Sequence, residues 1–94
     1  MKHCIIVKFK DGVDYKSMLD DIKTLFDNCM TIDGIDDVSV LNNCIDRDNR
    51  YDVMIELTMR MDCLDVYDKC EWHHIWKDKY GEFIEKKVIF DYED

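Results

Sequence analysis

The sequence contains no proline and only three glycines in 94 residues. No helix can therefore be broken by a proline ring, and no Pro/Gly-rich linker divides the chain. No stretch reaches the ~18 apolar residues that a membrane helix requires. The opening "MKHCIIVKFKDG" has a basic start but no long apolar core and no small-residue cleavage site, so no signal peptide is expected and the cytoplasm is the expected compartment. Basic residues are few: 13 Lys and Arg face 22 Asp and Glu, for a formal net charge of -9. That balance argues against nucleic acid and against anionic membranes, both of which are gripped by clustered Lys and Arg. Five cysteines at irregular spacing, without a CxxC, make neither a disulfide framework nor a zinc ribbon. Reduced, buried thiols are expected instead.

What remains is a chain 47% hydrophobic, read as one domain over 1–94 with a packed core. So short a chain buries a modest fraction of its surface, and a second copy would add to it. "KHCIIVKFK" (2–10) alternates, with His3, Ile5, Val7 and Phe9 on one face and Cys4, Ile6, Lys8 and Lys10 on the other. That is a strand pattern. Met18, Leu19, Ile22, Leu25, Phe26, Cys29 and Met30 recur at spacings of three and four, predicting an amphipathic helix over 14–31 with Asp14 as its cap. Strands are expected at 35–45 and 51–60, joined by the polar turn "DRDN". A helix follows over 62–86, and a last strand over 87–92. The order β-α-β-β-α-β defines a ferredoxin-like α+β fold with both helices on one face of an antiparallel sheet. Ile6, Met54 and Ile89 are expected on the opposite face, and an apolar second face predicts a homodimer through the sheet faces.

Residues 70–80, "CEWHHIWKDKY", concentrate two of the three histidines and both tryptophans. At ~100° per residue, Trp72, Trp76, Tyr80, Phe83 and Ile84 share one side and read as core. His73 falls at the edge of that side, whereas His74 points away, so the adjacent histidines are not equivalent. Cys70, His73 and His74 offer a Cys-x2-His without a second ligand pair, and no metal site is expected. His3, on the strand face that meets the helices, and Tyr67 belong to the same layer as His73. Tyr67 and His73 lie six residues apart, ~120° apart on an unbroken helix. They can converge only if the helix breaks near Cys70–Glu71.

The "KH" of the first strand running into "VKFKDG", the tyrosine and histidine of "VYDKCEWHH" and the closing "VIFDYE" resemble the stress-responsive α/β-barrel (Dabb) family. The resemblance spans essentially the whole chain. It is clearest in the first strand and in 64–93, and over 64–92 it extends to the family's olivetolic acid cyclase branch. It implies a dimeric α+β barrel with a pocket between sheet and helices. It also implies His73 as a general base, Tyr67 as the group that polarises a carbonyl, and His3 as a pocket residue, with no cofactor. Cys70 and Glu71 stand where the family carries the first histidine and the proline of a His-Pro-x-His segment.

Three functions remain open at this point. The first is a small Dabb-type protein of unassigned role that binds a small apolar ligand on His3, Ile5 and Val7. The second is a cofactor-free, cyclase-like enzyme using His73 and Tyr67 on a carbonyl-containing ligand. The third is a monooxygenase of the same barrel, for which only the fold speaks.

Overall fold

The computed structural model describes residues 1–93; Asp94, the end of the expected 1–94 domain, lies outside them. Four strands form one antiparallel sheet: β1 (Lys2–Phe9), β2 (Ile35–Asn42), β3 (Val53–Met59) and β4 (Ile84–Tyr92), in the order β2-β3-β1-β4. Three α-helices lie against it: α1 (Leu19–Asp27), α2 (Leu64–Lys69) and α3 (Glu71–Tyr80). This is the ferredoxin-like arrangement, its second helix split in two.

The core follows the sequence patterns. Ile5, Val7 and Phe9 of β1 are buried, as are Ile55 and Leu57 of β3. Against them pack Ile22 and Phe26 of α1 and Trp76 and Tyr80 of α3, with the rings of Phe26 and Trp76 edge to face at 5.1 Å. An edge-to-face pair of this kind adds roughly 1 kcal/mol beyond area burial.

Three expected elements differ in detail. The helix over 14–31 divides into a 3₁₀ turn at Tyr15–Met18, α1, and a second 3₁₀ turn at Asn28–Thr31. Asp14 forms no side-chain cap; its carbonyl accepts the Ser17 hydroxyl at 2.7 Å. The helix over 62–86 breaks at Cys70, whose φ of -74° and ψ of 158° are those of extended chain. The region 81–86 leaves the helix altogether through a 3₁₀ turn at Gly81–Phe83, and β4 begins at Ile84.

The pairing of β1 with β4 corrects one facial assignment. Ile5 stands opposite Ile89, His3 opposite Asp91 and Val7 opposite Lys87. Directly opposed residues share a face, so Lys87, Ile89 and Asp91 lie on the helix side. Ile89 is thus not on the outer face, where it was expected. Val88, Phe90 and Tyr92 are, beside Ile6 and Met54. A register set by a neighbouring strand, with a bulge between Lys8 and Phe9, cannot be read from β4 alone.

Candidate functional site

The helices do not reach across the sheet. Glu85–Tyr92 of β4 are exposed, including the helix-side residues Lys87, Ile89 and Asp91. A cleft of about 490 Å³ opens there. Its floor is His3 and Ile5 of β1 with Lys87, Ile89 and Asp91 of β4. Its wall is Leu64 and Asp68 of α2 with His73, Trp76 and Lys77 of α3. A second hollow, of about 460 Å³, is lined mainly by polar residues of the loop 43–48 and includes no histidine.

The break at Cys70 builds the site. Cys70 is the N-cap of α3, and its thiol sulfur accepts the backbone N–H of His73 at 3.4 Å. This satisfies one of the four N–H groups that every helix start leaves unpaired. The turn of the chain brings Tyr67 of α2 and His73 of α3 together, ring centroids 4.9 Å apart. The Tyr67 ring also meets His3, in a T-shaped arrangement with centroids 5.3 Å apart. One buried tyrosine ring therefore touches two histidines from different elements.

Each histidine is held by a partner that accepts from Nδ1. His73 Nδ1 lies 2.9 Å from the backbone carbonyl of Asp68. A carbonyl only accepts, so Nδ1 carries the hydrogen and Nε2 of the neutral ring keeps its lone pair. Burial, opposed in part by that hydrogen bond, and then the nearby charge of Lys77 hold the His73 pKa below its ordinary value. The ring is accordingly neutral and basic at pH 7. His3 is buried, and its Nδ1 pairs with the carboxylate of Asp91 across the β1–β4 ladder.

Tyr67 is fully buried, and its hydroxyl has no hydrogen-bond partner among the described residues. Burial, then the thiols of Cys29 and Cys70, push the phenol well above its usual range, so it stays protonated. An unpaired buried hydroxyl costs roughly 1–3 kcal/mol and marks a place where an acceptor belongs. Cys29, beneath it, is pushed up to about 12 by burial first and then by the neighbouring Cys70.

The sequence-derived candidates fall into four positions. His3, Ile5 and His73 line the cleft, and Tyr67 forms the layer behind the two histidines. Val7 is fully buried in the core and does not border the cleft. His74 is exposed. Asp68, Asp91, Lys77 and Lys87 were not anticipated. The alternation of Lys87, Ile89 and Asp91 was visible, but assigning it to the cleft needs the β1–β4 register. Among the described residues, no three His, Cys, Asp or Glu side chains are grouped so as to hold a metal ion. No helix is long and apolar enough to cross a membrane.

No family model matches the chain, and no curated protein matches it by sequence. Solved structures match it in fold. A dimeric protein of unknown function with a ferredoxin-like fold from Bacteroides fragilis superposes with a TM-score of 0.79 at 18% identity, over 99% of this chain and 94% of that one. A Dabb family protein with a ferredoxin-like fold from Mesorhizobium loti gives 0.75 at 17% identity, over 99% and 94%. A hydroxynitrile lyase from Passiflora edulis gives 0.74 at 14% identity, over 97% and 88%. At these identities the likeness establishes the ferredoxin-like fold. That fold is shared by dimeric proteins of unknown function and by enzymes.

Proposed function

We propose that this chain is a Dabb-type homodimer that binds a small carbonyl compound in the β1–β4–α3 cleft and moves a proton on it without a cofactor. The observation that carries this reading is the Tyr67 ring in contact with both His3 and His73, with its hydroxyl buried and unpaired among the described residues. His73 Nε2 is the base, its tautomer fixed by the Asp68 carbonyl. The Tyr67 hydroxyl, buried behind the cleft lining, is the donor that a carbonyl oxygen would satisfy once the ligand reaches past His3 and His73, as negative charge grows on it. Ile5, Leu64, Trp76 and Ile89 supply apolar surface for the ligand body. The resemblance to the Dabb family and its cyclase branch supports the same residues in the same roles. The monooxygenase reading has the fold behind it and no residue of the cleft.

Acetophenone in D2O serves as the probe. Two-dimensional amide NMR is expected to show shifts confined to the cleft residues, together with enzyme-dependent deuterium incorporation at the methyl group. His73→Gln should abolish the incorporation while leaving the cleft shifts. Tyr67→Phe should slow incorporation about a hundredfold, the usual size of a lost oxyanion donor. Binding without deuterium incorporation would leave a binding protein and contradict the catalytic part of the proposal.

A further inference from the structure

The cleft carries a charge pattern that proton transfer alone does not use. Lys77 on α3, in the wall, and Lys87 on β4, in the floor, both border it, and both act electrostatically on His73. Among the described residues neither lysine side chain makes an ion pair or a hydrogen bond, although the chain has 22 acidic side chains to 13 basic ones. The two carboxylates of the cleft are placed otherwise. Asp91 is engaged by His3, and Asp68, whose backbone carbonyl fixes His73, keeps a carboxylate that opposes the two lysines at His73. The lysine end also continues into a neighbouring groove of about 260 Å³ lined by Trp76, Lys77, Ile84, Lys86 and Lys87, with Glu85 its one acid. In a chain of formal charge -9, three lysines bordering one groove form a local exception.

We infer that the ligand is an anion: a carbonyl compound whose carboxylate or phosphate head lies between Lys77 and Lys87. Its apolar body lies on Ile5, Trp76 and Ile89, and its reacting carbon faces His73. Resting on the proposed function, this inference adds the substrate class. The lysine pair selects a negatively charged ligand that the acidic remainder of the surface repels. Each lysine is exposed, so each contact is modest and weakened by salt.

The test uses three matched probes: 4-oxo-4-phenylbutanoate, its phosphonate counterpart and its uncharged amide. Dissociation constants come from amide NMR titration at low and high salt, and deuterium incorporation next to the ketone is followed alongside. The inference predicts that at least one anion binds about tenfold more tightly than the amide, as two partly exposed charge contacts would give. That advantage should shrink in high salt and disappear in Lys77→Gln/Lys87→Gln, whose amide affinity stays unchanged. The preferred anion distinguishes a carboxylate ligand from a phosphate one. Equal affinity for all three probes overturns the inference, as does an anion preference that survives the double substitution. If the amide still exchanges in either of those cases, the proposed function stands. No exchange with any probe removes the proposed function, whereas anion selectivity at the lysines is read independently from the titration.

Discussion

Gly34 shows how much one position can carry. Its φ of +99° is open to glycine and strained for other residues. A Cβ there would stand 2.3 Å from Cys63 Sγ and 2.8 Å from Arg60 Cζ. Gly12, with φ +84°, has nothing within 4 Å of its would-be Cβ. Gly34→Ala should therefore lose about 2 kcal/mol or more in urea unfolding, and Gly12→Ala about 1 kcal/mol. Equal losses would contradict the steric part of this account. The need for a glycine at 34 was legible in "DG" after a helical pattern. That His3, Tyr67 and His73 share one layer was also legible, because each sits at a definite phase of a strand or helix. Asp91, Lys77 and Lys87 were not. Their role depends on which strand residue faces which, and on a helix that stops short of the sheet edge, and neither is a local property.

At the scale of the element, the break between α2 and α3 decides whether there is a site at all. The resemblance associates that break with a proline, yet this chain makes it with none. An extended Cys70 caps α3 through its sulfur, and Glu71 in the first turn complements the helix dipole. The conformation of Cys70 is the one a residue before proline prefers, and Glu71 holds the first helical position, where proline costs no hydrogen bond. Glu71→Pro is thus expected to leave the thermal midpoint unchanged or raise it by a few degrees. A fall of about 5 °C or more would show that the backbone at 70–71 is not as described. Periodicity located the place where a break was required, because Tyr67 and His73 could not otherwise meet. It could not show that a cysteine would make the break, since sulfur capping leaves no spacing pattern. The register of β4 was missed for a related reason. Val88, Phe90 and Ile89 are all apolar, so alternation alone does not say which face is inward.

The whole molecule presents two unlike faces. One carries the helices and the cleft. The other is bare sheet, with Ile6, Met54, Leu41, Val88 and Phe90 grouped across four strands, Phe90 at 59% exposure. We infer that a second copy covers this face, consistent with the dimeric proteins that share the fold. Burying one large side chain of this kind contributes roughly 1.5–3 kcal/mol. Phe90→Asp would place two charges in the sheet-to-sheet contact and should convert the dimer to monomer at micromolar concentration. Sedimentation equilibrium of the wild type at the mass of one chain would contradict the dimer, as would a Phe90→Asp variant that remains dimeric. The fold class and the apolar second face were both legible, because they follow from element order and alternation. The open edge beside β4, which makes the cleft, required the three-dimensional packing.

Proton transfer in the cleft requires His73 to be a neutral base at its mouth, so the titration of His73 is the decisive quantity. Burial and the neighbouring lysines lower its pKa, which means the basic form is lost only below the ordinary histidine value of about 6.5. The measurement is the pH profile of deuterium incorporation into acetophenone, wild type against His73→Gln. The rate should rise with pH through a single midpoint below about 6.5, hold level through neutrality, and be absent in the variant. A midpoint well above that value, or a profile that survives the substitution of His73, would contradict the assignment.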